Sequence, residues 1–206
     1  MAVAASMLFV GKANAQLNVH LGYSPVTYTT TYNGNDEKMD LNGFFLGANY
    51  NINLTGDLNV GVGADFRYNT KSDSSKAGTL SIDVDHSQIV LDVPVLFNYG
   101  LSLSDALRVS AFAGPNFSFA LSGKSTYDAN ATVLSALGLS ADGEFDWYGE
   151  DSDQKKFDIG LTFGLSLGYR EFNLFGGYNM GLLNLSDSDN TTLKSANWFI
   201  GLGYAL

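Results

Sequence analysis

The sequence contains no cysteine, only two histidines and three prolines, and it has little positive charge. Without cysteine, the chain has neither a disulfide framework nor a thiolate zinc site. Its 21 acidic residues outnumber 11 lysines and arginines, which gives a formal net charge of -10. Such a chain repels phosphate backbones, so nucleic acid is excluded as a partner on charge grounds.

Long apolar runs are also missing, because no stretch reaches the roughly 18 uncharged apolar residues of a transmembrane helix. An apolar run over 2–10 is followed by Ala13-Asn14-Ala15, the small-x-small pattern of a signal peptidase site. We therefore predict a signal peptide over 1–15 and one domain over 16–206. The alternative is a short N-terminal helix of a cytosolic protein, but no helix cap precedes the strand that starts at Leu17.

From residue 17 onward, apolar and polar residues alternate. In the segment 58–69, one face carries Leu, Val, Ala, Phe and Tyr, and the other carries Asn, Gly, Asp and Arg. A half-buried β-strand requires this combination of faces. The same alternation predicts eight strands, over 17–24, 43–52, 58–69, 89–99, 107–121, 157–169, 174–182 and 196–206.

The connections between these strands are alternately short and long. The tight ones lie at 53–57, 100–106 and 170–173. The long, polar ones lie at 29–41, 69–88, 122–156 and 184–195. This asymmetry is typical of a bacterial outer-membrane barrel. We predict an all-β fold in the cell outer membrane, an eight-stranded antiparallel up-and-down transmembrane β-barrel with short periplasmic turns and long extracellular loops.

The positions of the charges decide which face of the strands points inward. A lipocalin-like soluble barrel would bury its apolar face inside. Here every charge within the strands lies on the Gly, Asn and Ser face, and the large apolar side chains of the other face would overfill an eight-stranded interior. The apolar face therefore meets lipid. The predicted lumen charge network consists of Asp65, Arg67, Asp92, Arg108 and Asp158.

Large aromatic residues lie near the strand ends of the apolar face. Barrel exteriors carry girdles of such residues at both membrane interfaces, whereas core aromatics of a soluble fold would not sort to strand ends. The predicted girdle consists of Tyr23, Tyr50, Phe66, Tyr68, Tyr99, Phe117, Phe119, Tyr169, Trp198 and Tyr204.

Three segments resemble the strand motifs of a known family. They are LDVPVL at 91–96, AGPNF at 113–117 and YNMGLLNL at 178–185. In these motifs the chain resembles the small porin-like outer membrane protein β-barrel domain family over essentially its whole mature length. The motifs are patterns of Pro, Gly and aromatic residues, so the resemblance implies fold and location. It also implies recognition of the C-terminal strand by the barrel-assembly machinery.

A few segments leave the strand geometry open. Pro94 and Pro115 each remove a backbone donor, so we expect a β-bulge at both. The alternating stretch 79–84 is either a separate strand or an extension of the fourth strand, and its phase requires a bulge or break within 85–88. The run 131–141 is either a short helix or a loop hairpin. The strand count is therefore eight or ten.

Candidate catalytic residues are few. His20 falls on the inward face, where a hydrogen-bonded structural imidazole fits better than a catalyst. Asp85, His86 and Ser87 are adjacent in an extended chain, so their side chains cannot converge as a triad. We predict no catalytic residue, no cofactor and no resident metal site.

An acidic stretch in the longest loop suggests weak divalent-cation binding as an alternative, because carboxylates are hard-cation ligands. The stretch fails the EF-hand pattern, since Trp147 stands where that loop demands glycine. A solvated acidic loop is the preferred interpretation. The candidate ligands are Asp142, Glu144, Asp146, Asp151 and Asp153.

Two functions remain open. In the first, the barrel has a structural or surface-interaction role, and its acidic extracellular loops contact partners, including lipopolysaccharide through divalent ions. In the second, it is a small-solute porin-like channel. Inward glycines leave room for a path, but inward phenylalanines and lumen charges fill it, so we expect a largely plugged lumen. A lipid-modifying enzyme of the outer membrane is a distant third.

Overall fold

The structure is a computed structural model that describes residues 15–77, 80–129, 142–149 and 152–206. None of these residues forms a helix that is long and apolar enough to cross a membrane. All but Ala15 of the predicted signal peptide lies outside the described residues. The strands are β1 (Ala15–Tyr23), β2 (Val26–Tyr32), β3 (Asn35–Thr55), β4 (Leu58–Ala77), β5 (Leu80–Ser102), β6 (Leu107–Ala129), β7 (Asp142–Asp146), β8 (Phe157–Tyr169), β9 (Phe172–Gly181) and β10 (Thr191–Ala205).

The ten strands occupy eight positions around a ring. β1 and β2 share one position between β3 and β10, because Ser24 and Pro25 interrupt a single barrel strand. β7 and β8 share another position beside β6, so ten strands minus two leaves eight positions. β10 pairs with β9 on one side and with β1 and β2 on the other, which closes the ring. The predicted all-β, antiparallel up-and-down fold is confirmed.

The two ends of the ring differ in their connections. At the turn end, short turns at 56–57, 103–106 and 170–171 join the strands. At the loop end lie the Asn33-Gly34 turn, residues 147–149 and 152–156, and the connection 182–190. The connections over 78–79 and 130–141 lie outside the described residues. Asn33 and Gly34 have φ angles of 51° and 81°, as the type I′ turn of a two-residue hairpin requires.

The strands extend further toward the loop end than the sequence predicts. β4 runs to Ala77 and β5 begins at Leu80, so most of 69–88 is a hairpin instead of a loop. Likewise, most of 29–41 belongs to the β2–β3 hairpin, and 122–129 belongs to β6. The prediction of loops is wrong here because segments such as 69–77 carry polar residues on both faces, so the period-two signal is absent.

From Leu80 onward, the stretch 79–84 is an extension of β5. The break predicted within 85–88 is absent, because β4 and β5 stay in register there. The register shift falls between Ile89 and Val90, which pair with Ser122 and Ala120, and the extra residue belongs to β6. The run 131–141 lies outside the described residues.

The two strand prolines do not cause bulges. β5 pairs with β6 at Pro94–Asn116 and again at Phe97–Ala113, three residues further along both strands. The two residue pairs between these positions are not part of the ladder, but neither strand has an extra residue. The bulges predicted at Pro94 and Pro115 are therefore wrong, because a lost donor interrupts the ladder without requiring an extra residue.

The apolar phase of the strands points away from the ring, and the polar phase points into it. Leu165, for example, is 63% exposed on the exterior. The buried polar residues of the interior are His20, Arg67, Asn69, Gln88, Asp92, Asn116, Asp158, Thr162, Asn179 and Asn197. Such an exterior requires lipid, since a patch of this size would aggregate in water.

Candidate functional site

Arg67 and Asp92 form an ion pair inside the barrel, on the neighbouring strands β4 and β5. Arg67 Nε donates to Asp92 Oδ2 at 3.0 Å, and Nη2 donates to Oδ1 at 3.4 Å. Asn116 Nδ2 donates to the same Oδ1 at 3.1 Å, and the Ser118 hydroxyl also donates to it. Both charged side chains are buried, so each depends on the other to offset the loss of hydration.

Two other predicted lumen charges have partners that the sequence pattern does not predict. His20 Nε2 and Asp65 Oδ1 are 2.6 Å apart. Near the turn end, Arg108 Nη2 lies 3.6 Å from Asp57 Oδ1 and donates to the Asp57 carbonyl oxygen at 3.3 Å. The inward phase of His20 was the available signal for the first pair. No sequence pattern links Arg108 to Asp57, which lies in the β3–β4 turn.

Asp158, near the loop end of β8, is separate from the other lumen charges. Its carboxylate accepts hydrogen bonds from Ser195 Oγ at 2.8 Å and from the Leu183 N–H at 3.2 Å. The structure therefore brings Arg67 and Asp92 together and places the other three predicted charges in separate groups.

Four phenylalanines project into the lumen, and each lies over a glycine of a neighbouring strand. The cross-strand pairs are Phe45–Gly22, Phe112–Gly164, Phe175–Gly201 and Phe199–Gly177. A methyl group added at any of these glycines would lie 2.4–2.7 Å from a ring atom of its phenylalanine. These inward glycines therefore accommodate the rings and do not leave an open path.

The four rings form one aromatic cluster with His20. The Phe175 centroid lies 6.1 Å from that of Phe45, 6.2 Å from that of Phe199 and 5.6 Å from that of His20. Phe112 stacks on Phe199 with a centroid distance of 6.2 Å. Because these residues come from β1, β3, β6, β9 and β10, the cluster narrows the lumen from several sides.

A cavity of about 440 Å³ lies in the lumen and reaches the turn end. Asp105 and Arg170 line its mouth, and Arg67 and Asp92 lie among its lining residues. Its wall also carries the amides of Asn18, Asn49, Asn51, Asn59, Asn98 and Asn173. Small-molecule sites span roughly 300–1,000 Å³, so the cavity has the size of such a site.

Trp147 and Tyr148, in the turn after β7, fold back over the loop end of the lumen. Trp147 packs against Val26 and Leu41 in a small buried apolar core. Its Nε1 donates to Ser125 Oγ at 2.6 Å, and this bond fixes the indole against β6. The turn is therefore anchored in the mouth of the barrel.

A polar cluster beside this core completes the closure. Gln88 Nε2 donates to the hydroxyls of Tyr28 at 2.7 Å and Tyr148 at 2.6 Å, and Gln88 Oε1 accepts from Asn69 Nδ2 at 2.7 Å. Asn69 and Gln88 are 0% and 1% exposed. We call Tyr28, Asn69, Gln88, Trp147 and Tyr148 the loop-end plug. The sequence pattern did not predict this plug, and the available signal was an aromatic pair within an acidic loop.

Burial raises the pKa of both plug tyrosines, Tyr28 and Tyr148, above the ordinary value of 10. The shift arises because a buried phenolate loses its hydration. Both hydroxyls therefore stay neutral at physiological pH, and the hydrogen bonds to Gln88 do not depend on pH in that range.

β4, β5, β6 and β7 extend past the barrel wall as a four-stranded sheet, and the two faces of its β5–β6–β7 part differ. The face that continues the lumen phase carries Ile82, Val84, Tyr127 and Phe145. The outer face carries Asp83, Asp85, Asp128, Asp142 and Glu144. Asp83, Asp128 and Asp142 are directly opposite one another in register, an arrangement that is destabilising for like charges.

Three of the five carboxylates predicted as weak cation ligands have other partners, whereas Asp142 lies opposite Asp128. Glu144 pairs with a lysine, Asp146 accepts the backbone N–H of Tyr148, and Asp153 accepts a serine hydroxyl. Asp151 lies outside the described residues. Within the described part of the chain, no group of three or more His, Asp or Glu side chains is arranged to hold a metal ion.

The predicted girdle residues lie on the outward phase in two bands. The loop-end band contains Tyr23, Phe66, Tyr68, Phe117, Phe119 and Trp198, and the turn-end band contains Tyr50, Tyr99, Tyr169 and Tyr204. In the loop-end band, the Tyr23 ring centroid lies 5.3 Å from that of Phe44 and 5.5 Å from that of Trp198. In the turn-end band, Tyr204 lies 5.3 Å from Phe172, so further aromatics extend both bands.

A family model described as the outer membrane protein β-barrel domain matches residues 11–187. The chain belongs to this family. It is therefore an outer-membrane β-barrel protein, and the location predicted from the sequence is confirmed.

Several solved outer-membrane proteins are similar to the chain at low sequence identity. Ail, the attachment invasion locus protein of Yersinia pestis, in complex with the heparin analogue sucrose octasulfate, is 14% identical, with 93% of this chain and 99% of Ail covered and a TM-score of 0.43. OprG of Pseudomonas aeruginosa is 14% identical over 95% and 98% of the two chains, with a TM-score of 0.42. Neisserial surface protein A is 14% identical over 90% and 96%, with a TM-score of 0.41. A search of the curated proteins finds no match.

Proposed function

We propose that the chain is a surface-interaction barrel whose lumen does not conduct. The observation that supports this proposal is the loop-end plug, which fills the mouth with an indole, two phenols and two almost fully buried amides. The Arg67–Asp92 pair and the four-phenylalanine cluster obstruct the lumen further inside. An ion that enters from the loop end would have to displace the plug before it reached the lumen, where Phe45 and Arg67 lie directly opposite each other and narrow the path.

The outer face of the β5–β6–β7 sheet is the proposed contact surface. Its in-register aspartates repel one another, and a partner with lysine or arginine side chains would relieve that repulsion. Divalent ions between these carboxylates and lipopolysaccharide would have the same effect. In outer-membrane barrels short turns face the periplasm, so the proposal directs the loop end outward.

The proposal assigns no catalytic role to either histidine. His86 Nδ1 is 2.7 Å from Ser125 Oγ, but the same oxygen accepts the Trp147 indole N–H. His86 Nε2 is 3.9 Å from Asp73 Oδ2, beyond hydrogen-bond distance. Ser125 therefore anchors the plug through the Trp147 indole and is not assigned the role of a nucleophile. His20 is enclosed by Asp65 and phenylalanine rings.

Planar-bilayer recording of refolded protein tests the closed lumen. We expect no steady conductance from the wild-type barrel. Trp147→Ala alone should also stay closed, because the four lumen rings remain. The triple variant that combines Trp147→Ala with Phe112→Ala and Phe175→Ala should show stable channel openings. A large, steady wild-type conductance would overturn the proposal.

A small-solute channel is the second candidate, and the cavity of about 440 Å³ that reaches the turn end favours it. Liposome swelling measures this function directly. In the channel case, uncharged solutes small enough for the cavity would enter wild-type proteoliposomes faster than protein-free liposomes. In the surface-interaction case, the two rates would be equal.

Protease treatment of intact cells tests the orientation. We expect the first cleavage within 122–156, on the loop-end side. Cleavage at the turn end, for example within 103–106, should require an opened envelope. The reverse order would place the acidic sheet in the periplasm and would overturn the surface role.

A further inference from the structure

Two lysines stand in one cross-strand row on the exterior of the barrel. Lys194 of β10 is directly opposite Thr29 of β2, and Thr29 is directly opposite Lys38 of β3. Both lysines are exposed and lie on the outward phase, next to the inward residues Met39, which is partly buried, and Leu193, which is buried. Because neighbouring strands are about 4.8 Å apart, the two backbones are roughly 10 Å apart at this row.

The row lies just beyond the loop-end aromatic band, on the same strands. On β10, Trp198 lies four residues beyond Lys194 toward the turn end. On β3, Phe44 lies six residues beyond Lys38 in the same direction. These spacings correspond to about 13 and 20 Å along the strands, and to less in height because barrel strands tilt by roughly 45°. Aromatic bands mark the headgroup level, and flexible lysine side chains can reach back toward it.

Neither lysine has a carboxylate partner among the described residues. Three other lysines are in ion pairs within 4.0 Å at this end of the barrel, but Lys38 and Lys194 are not. The acidic residues nearest to Lys38 along β3, Asp36 and Asp40, each accept a threonine hydroxyl at 2.6 Å. The two ammonium groups are thus available to an external anion.

We propose that Lys38 and Lys194 bind the phosphate groups of a membrane lipid, with the Thr29 hydroxyl between them as a further donor. Clustered lysines at a membrane surface attract anionic headgroups, and an ammonium group binds phosphate as a point charge. The lipid is the phosphorylated lipid A part of lipopolysaccharide. This choice of leaflet rests on the outward loop end of the proposed function.

Native mass spectrometry of the detergent-refolded barrel, titrated with bisphosphorylated lipid A, tests the site. We expect Lys38→Gln and Lys194→Gln each to weaken binding about fivefold and the double variant roughly 25-fold, since each surface lysine contributes about 1 kcal/mol. Lys76→Gln is the matched control, because Lys76 is also exposed on an outward position but lies near the tip of the β4–β5 hairpin. It should leave the affinity unchanged.

Lipid A from which the phosphates have been removed separates phosphate binding from acyl-chain binding. With this probe, the wild type and the double variant should bind equally. Equal affinity of both proteins for the phosphorylated lipid, or an equal loss in Lys76→Gln, would overturn the site. Inorganic phosphate should not compete at equal concentration, and complete competition would overturn the assignment to a lipid. The assay senses neither conductance nor orientation, so its failure is distinct from a failure of the surface role.

Discussion

Two regions of the same strands place their apolar side chains on opposite faces. In the barrel wall, β5 directs Leu91 outward and Asp92 into the lumen. Beyond the wall, the same strand directs Asp83 outward and Ile82 inward without a change of phase within β5. Strand geometry is the same in both regions, whereas the medium changes from lipid to water. The surrounding medium therefore determines which face of a strand carries the apolar side chains.

Trp147→Ala should have the largest effect, confined to the water-exposed region. Loss of a buried indole costs about 3–5 kcal/mol, more than a five-residue strand with one partner can offset. In hydrogen exchange, the β7 amides should lose protection while the β9 amides keep it. Phe145→Ala is the control, because Phe145 is 56% exposed on the same face. An equal loss of β7 amide protection in both variants, or a loss of protection throughout the barrel wall, would contradict the distinction between the two regions.

Arginine at an outward position should separate the two media directly. Leu165→Arg or Val62→Arg in the wall should destabilise the barrel by about 2–4 kcal/mol in a bilayer. Thr126→Arg is also an outward substitution, but it lies opposite Asp85 and Glu144, so we expect a change within about 0.5 kcal/mol or a small gain. Urea unfolding in vesicles measures the difference. Similar free energies of unfolding for all variants would contradict the lipid-facing wall.

Alanine substitutions on one strand sharpen the description of the lumen. A Cβ at Gly164 would lie 2.3 Å from the Gly176 carbonyl oxygen and 2.4 Å from the Phe112 ring. We expect Gly164→Ala to lower the free energy of unfolding by about 1–3 kcal/mol. A Cβ at Gly168, also inward on β8, would meet nothing closer than 3.7 Å. If Gly168→Ala proved as costly as Gly164→Ala in the same titration, ring packing would not be the cause.

High pH should loosen the plug by the smallest amount. The pKa of Tyr148 is raised by burial, so its contribution to stability is complete below pH 10 and is lost as the pH rises through the raised value. In a Trp198→Phe background, Trp147 emission should be constant from pH 7 to 10 and shift above it. Tyr148→Phe should weaken this dependence, with Tyr28 accounting for the remainder. A shift in Trp147 emission that begins below pH 10 would contradict the assignment of the change to ionisation of the buried tyrosines.

The wall could be predicted from the sequence because lipid imposes period two on every strand. β8 has the predicted bounds, and β4 begins at the predicted residue, Leu58. The region beyond the wall lacks that constraint, so residues 69–77 gave no strand signal. The plug depends on Trp147 meeting Val26 and Leu41, which are distant in the sequence.

The lumen could be predicted from the sequence only in part. Period two identifies its charged residues, because each must lie on the inward phase of its strand. Their partners depend on which strands are neighbours and on where the turns lie. The pairing of Arg67 with Asp92 thus follows from the β4–β5 hairpin, whereas that of Arg108 with Asp57 depends on a turn.

The phenylalanine–glycine pairs also bear on how accurately the barrel assembles. A slip by two residues keeps every side chain on its proper face, so the apolar pattern alone does not prevent it. Slipped by two, Phe45 would oppose His20 or Ser24 in place of Gly22, and Phe112 would oppose Thr162 or Ser166 in place of Gly164. Each of these two rings would then meet a side chain where it now meets a bare backbone. On β9 and β10, a slip places Phe199 opposite Asn179 or Phe175, although Phe175 itself meets another glycine, Gly203, in one direction. The four pairs therefore penalise mispaired folding intermediates before the barrel closes.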